Sequence, residues 1–99
     1  MANGDSDKVV RITLDSHGMP IPQENRVNVR KEKQKLRWCA DFPFSIQFDG
    51  AADVPSKSSG GDCPNDAKAG PFYEEIGTVL KYSIRANGKL NDPEVEIVP

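Results

Sequence analysis

Histidine is nearly missing from this chain: His17 is the only one in 99 residues. A metal centre built on several imidazoles is therefore excluded. Cysteine is almost as scarce. Cys39 and Cys63 are the only two, which rules out a disulfide-rich scaffold, and no Cys-x-x-Cys spacing suggests a zinc or dithiol motif. There is no apolar run long enough to cross a membrane. Residues 1–8 hold no apolar stretch of signal-peptide length, so a cytoplasmic protein is expected. A charge excess is missing too. Thirteen basic and 15 acidic residues leave a net charge of −2, whereas nucleic-acid-binding domains are usually strongly basic. No Gly-x-Ser-x-Gly nucleophile elbow occurs, and nothing in the spacing brings His17 to Ser56, Ser58 or Ser59. The chain is expected not to be an enzyme and to need no cofactor.

Helical periodicity is also lacking over any stretch of 11 or more residues. Short runs of alternating apolar residues, punctuated by Gly, Pro, Asn and Asp, take its place, and that pattern marks a small all-β sandwich or barrel. Residues 8–14 alternate through Val10, Ile12 and Leu14. Pro20 and Pro22 keep the next segment extended and irregular. Residues 26–30 turn Val27 and Val29 inward, 35–39 Leu36 and Trp38, and 44–49 Phe44, Ile46 and Phe48. Residues 77–84 carry Leu80, Tyr82 and Ile84 on one face, Ala86-Asn87-Gly88 signals a turn, and Val95 and Ile97 close the chain. About seven strands are expected. Residues 1–7 read as a flexible tail and 8–99 as one domain. Residues 51–71, rich in Gly, Pro and Ser, read as one long irregular loop; a helical turn near 65–69 is weighed and not adopted.

The order of three segments resembles the cupredoxin family, the copper-carrying β-sandwiches of plastocyanin type. They are Val27-x-Val29-Arg30-Lys31 leading to Leu36-x-Trp38, then Asp41-Phe42-Pro43-Phe44-Ser45-Ile46-Gln47-Phe48-Asp49, then Gly77-Thr78 with Leu80, Tyr82 and Ile84 before Val95-x-Ile97. The match spans most of residues 26–98, with the long loop as a gap. The resemblance implies a Greek-key sandwich in which the last strand runs beside the second, setting Glu94 and Glu96 toward Arg26 and Arg30. It also implies where copper ligands would fall. The first His falls at Phe44, the Cys at about Ile84, the second His near Asn87, and the axial Met near Asn91 or Asp92. None of these is an imidazole, thiolate or thioether. The chain looks like small bacterial cupredoxin-like proteins that lack the copper ligands; there too a Tyr-Ser-x segment precedes Asp-Pro-acidic, here Tyr82-Ser83-Ile84 and Asp92-Pro93-Glu94.

The remaining chemistry-bearing residues are few. Cys39 and Cys63 are expected as free thiols, with Cys63 exposed. The alternatives are a disulfide pinning the long loop to the sandwich, worth about 3 kcal/mol, or a weak metal site with His17. Arg30, Lys31, Lys33, Lys35 and Arg37 form a basic hairpin. It is expected to be a solvated face that discourages edge-to-edge pairing, with anion or nucleic-acid binding as the alternative. Trp38, Phe44, Phe48 and Tyr82 are expected in the core. Phe44 in a ligand's place fills the pocket with carbon, contributing burial of about 2 kcal/mol.

The reading is therefore an all-β sandwich of cupredoxin type serving as a non-catalytic, metal-free binding module, monomeric or weakly dimeric. Its expected partner is another protein, with no membrane, and nucleic acid is disfavoured. Phe42, Pro43, Phe72 and Tyr73, taken to share one end of the sandwich, are its candidate contacts. A thiol-based redox or metal-handling protein using Cys39 and Cys63 is the alternative.

Overall fold

The computed structural model describes residues 7–99; apart from Asp7, the expected tail lies outside the described residues. The described residues are all-β. Among them eleven strands form two sheets, and seven of those strands have four or more residues. The first sheet has the order β2 (Pro20–Pro22), β1 (Lys8–Leu14), β4 (Leu36–Ala40), β8 (Asn65–Ala69), β7 (Lys57–Ser58). The second has the order β3 (Arg26–Arg30), β11 (Glu94–Val98), β9 (Val79–Ala86), β5 (Ser45–Phe48), β6 (Val54–Pro55), with β10 (Lys89–Asn91) pairing β9. Two pairings are parallel, β1 with β4 and β3 with β11. The others are antiparallel.

On both flanks one stretch of chain serves as an edge of each sheet in turn. β2 leads directly into β3, and β6 into β7 through Ser56. Short, crossing edge strands of this kind limit the exposed ladder that invites edge-to-edge association. The crossing at Ser56 is fixed twice to Phe44: Ser56 N–H donates to the Phe44 carbonyl at 2.7 Å, and its hydroxyl accepts from Phe44 N–H at 3.0 Å.

A single apolar cluster joins the two sheets. Strand alternation aims Val10 and Ile12 of β1, Leu36 and Trp38 of β4 and Ala67 of β8 at Val27 and Val29 of β3, Ile46 of β5, Tyr82 and Ile84 of β9, and Val95 and Ile97 of β11. Trp38 and Tyr82 are the largest side chains fully buried. Their rings lie 5.2 Å apart, Phe48 stands 5.4 Å from Tyr82, and Phe72 is 5.9 Å from Phe48. Tilted pairs at such distances are favourable beyond area burial alone. The β9–β10 turn has Asn87 at φ 56° and Gly88 at φ 72°, the two left-handed residues that a tight two-residue hairpin requires.

Two expectations are corrected here. Residues 51–71 are not one irregular loop. β6 and β7 interrupt it, and β8 pairs with β4 over five positions from Leu36↔Ala69 to Ala40↔Asn65. The thiols are not free. Cys39 and Cys63 form a disulfide with Cα atoms 5.2 Å apart, and Cys63 is buried. Alternation turns Leu36 and Trp38 inward and so aims Cys39 at the outer face of its sheet. The β7–β8 connection folds back over that face and brings Cys63 to it. Arg11, level with Cys39 on β1, donates from Nη2 to the Asp62 carbonyl at 3.3 Å and holds the same connection down.

Candidate functional site

One end of the sandwich is built where β1 stops at Leu14, where β4 runs out through Asp41-Phe42-Pro43, and where β9 turns at Asn87-Gly88. Leu14 is 44% exposed, beyond the last buried residue of its strand. Phe42 is half-buried against the core, Pro43 is exposed, and Phe44 turns inward into the core at 5% exposure. Leu14, Phe42, Pro43, Ala86 and Asn87 line an open depression of about 360 Å³. A second hollow of about 280 Å³ adjoins it and shares Leu14 and Phe42, with Ile12, Thr13 and Asp41 completing its lining. The walls are largely carbon.

The turns around this end are rigidly tied. The Asp15 carboxylate accepts the backbone N–H groups of Met19 and His17 at 2.9 and 2.8 Å. Those two hydrogen bonds hold its carboxyl below the usual aspartate range, with smaller help from His17 and Lys89. Gly18, at φ 79°, lets this turn approach the β9–β10 turn closely; a Cβ there would stand 2.8 Å from Asn87 Nδ2. Asn91 Nδ2 donates to the Pro20 carbonyl at 3.0 Å, and Asp92 accepts from the Ser83 hydroxyl at 2.9 Å.

The positions at which the resemblance would set copper ligands have other surroundings. Phe44 and Ile84 are buried in the apolar core, Asn87 supplies a left-handed turn residue, and Asn91 and Asp92 carry hydrogen bonds between segments. His17 is exposed on its turn. Among the described residues no group of three His, Cys, Asp or Glu side chains could hold a metal ion.

The structure separates the four expected contact residues. β4 pairs Ala40 with Asn65 and Leu36 with Ala69. Phe42 and Pro43, continuing from Ala40, therefore lie at one end, and Phe72 and Tyr73, following Ala69, at the other. Phe72 is also not a surface residue: it is 8% exposed and belongs to the core. Tyr73 is 67% exposed. Leu14, Ala86 and Asn87 take the place of Phe72 and Tyr73 at the first end. The signal for Leu14 was its position as the last apolar residue before a turn, where alternation continues but the opposite sheet no longer covers it.

The basic hairpin is divided among different roles. Arg37 Nε bonds Asp66 Oδ2 at 2.9 Å across β4 and β8. Arg30 Nε donates to the Pro99 carbonyl at 3.3 Å. Arg26, at the start of β3, meets Glu94 at 2.7 Å and Glu96 at 3.7 Å, so both acids of β11 face one arginine. Lys31, Lys33 and Lys35 remain on the β3–β4 turn.

Comparison with protein-family models, curated proteins and solved structures finds no match to this chain.

Proposed function

We propose that this chain is a non-catalytic, metal-free binding module on a Greek-key sandwich of cupredoxin type, and that another protein docks on the end formed by Leu14, Phe42, Pro43 and Asn87. The observation that carries the reading is the pair of adjoining, largely apolar hollows at that end, which share Leu14 and Phe42. Exposed apolar surface framed by rigid polar turns is the usual mark of a docking site. The cupredoxin type is supported by the parallel placement of β11 beside β3 and of β4 beside β1, the first of which the sequence resemblance implies. A non-catalytic role is favoured by where protonation is perturbed. Asp15 caps a turn, Arg26 is bonded to Glu94, and Tyr82 lies in the core; each shift has a structural cause.

Of the alternatives, thiol chemistry is disfavoured because both sulfurs are joined and buried, and exchange needs access. Nucleic-acid binding is disfavoured by the net charge of −2, and two of the hairpin's arginines, Arg26 and Arg37, are engaged with carboxylates. The buried disulfide also favours an oxidising compartment over the cytoplasm.

Two experiments test the reading. Immobilised wild-type protein and an Asn28→Lys control on the outer face of β3 should retain the same partner from the native host, and the double variant Leu14→Ser/Phe42→Ser should lose it. Equal retention by all three would overturn the assigned end. Copper titration should give no tight stoichiometric complex; an intense thiolate charge-transfer band would overturn the metal-free reading.

A further inference from the structure

At the end of the sandwich opposite Phe42, two crossing segments run side by side. The β3–β4 turn carries Lys31, Lys33 and Lys35. The β8–β9 connection carries Tyr73, Glu74, Glu75 and Ile76. They are tied together: Glu32 N–H donates to the Phe72 carbonyl at 2.8 Å, and Gly70 packs so closely that a Cβ there would stand 3.3 Å from Lys35 Cα. Phe72 anchors the connection in the core. That anchoring leaves its neighbours outside, with Tyr73 67% and Ile76 56% exposed, the two most exposed of the large apolar side chains described.

Among the described residues the charged side chains of these two segments have no ion-pair partner. Lys8, Arg26 and Arg37 form ion pairs with Glu24, with Glu94 and Glu96, and with Asp66. Among the described residues no ion pair engages Lys31, Lys33, Lys35, Glu74 or Glu75. The result is a mainly basic row, in which the exposed Glu32 stands between Lys31 and Lys33, beside an acidic row that carries an exposed tyrosine and isoleucine.

We propose that this end is a two-fold interface with a second copy of the chain. A two-fold contact must be self-complementary, since each patch meets itself rotated by half a turn. Rotation about an axis between the two rows places the lysines of one copy on Glu74 and Glu75 of the other, twice per dimer, and sets Tyr73 and Ile76 of each copy against the β3–β4 turn of the other. A uniformly basic or acidic partner would meet attraction from one row and repulsion from the other, so a second copy fits better than either. Because the Phe42 end lies at the far side of β4, the dimer would leave both of those ends free; the inference does not depend on the function proposed for them.

Sedimentation equilibrium on three proteins tests it: wild type, the basic-row reversal Lys31→Glu/Lys33→Glu/Lys35→Glu, and the acidic-row reversal Glu74→Lys/Glu75→Lys, each checked for unchanged circular dichroism. Wild type should sediment as a dimer of the 10.9 kDa chain, and added salt should weaken it by screening the pairs. Each reversal alone should weaken self-association roughly tenfold or more, and an equimolar mixture of the two should form a heterodimer. The Tyr73→Ser/Ile76→Ser variant should also be monomeric. A monomeric wild type at every concentration would overturn the proposal, and so would a dimer that the reversals leave intact.

Discussion

Trp38 donates its indole N–H to the Tyr82 hydroxyl at 3.2 Å, across the interior between β4 of one sheet and β9 of the other. Both side chains are fully buried, so neither polar atom has water as a substitute. The bond fixes how the two sheets face each other where the apolar core itself is non-directional. Removing the hydroxyl in Tyr82→Phe leaves the indole N–H buried and unpaired. Such a change costs roughly 1–3 kcal/mol. Chemical denaturation followed by tryptophan fluorescence should show that loss; an unchanged midpoint would mean the bond contributes nothing.

Burial also raises the Tyr82 pKa from 10.0 to about 12, against a smaller opposing effect of the hydrogen bond with Trp38. The folded state thus favours the neutral phenol more than the unfolded state does. The stabilisation this gives is complete below pH 10 and is lost as pH rises from 10 toward 12. Phenolate absorbance should show one tyrosine ionising only near the upper limit, together with loss of the fold. Ionisation of Tyr82 near pH 10 with the fold intact would contradict the burial argument.

The disulfide joins β4 to the β7–β8 connection across 24 positions of sequence. Closing a loop of that size constrains the unfolded chain by about 3 kcal/mol. The Cys39→Ser/Cys63→Ser variant should lose stability on that scale while the spectrum of the folded state stays all-β. Thiol reagents should leave the native, unreduced protein unlabelled. Ready labelling of the native protein would contradict the pairing.

Phe72 and Tyr73 are neighbours with opposite environments. Phe72→Ala removes a ring packed on Phe48 and should cost about 3–5 kcal/mol. Tyr73→Ala, measured in dilute solution, should stay within about 0.5 kcal/mol of wild type. Comparable losses in the two variants would mean that the connection is not anchored as described.

Much of the fold was legible because alternation is a strong signal when flanked by turn residues. Residues 8–14 and 26–30 were expected as strands and are strands to the residue. Trp38, Phe44 and Tyr82 were expected in the core and are buried. Of the strands not expected (β2, β6, β7, β8 and β10), the longest is β8, Asn-Asp-Ala-Lys-Ala, whose only buried side chain is Ala67. Its residues have little intrinsic preference for strands. It is held instead by its ladder with β4, by Arg37 bonded to Asp66, and by the disulfide nearby, all of them distant in sequence. The cysteine pairing was hidden for the same reason: alternation places Cys39 outward but says nothing of the connection that returns to cover it. Half of the expected contact set moved because the sequence does not say which end a connection crosses. Only the β4–β8 register separates Phe42 from Phe72.

The docking role of the Leu14–Phe42 end is tested most directly by a photo-activated cross-linker placed at position 42 and, as a control, at position 28 on the outer face of β3, with both proteins exposed to light in the native host. The account predicts one discrete protein adduct from position 42 and none from position 28. No adduct from position 42, or the same adduct from both positions, would contradict it.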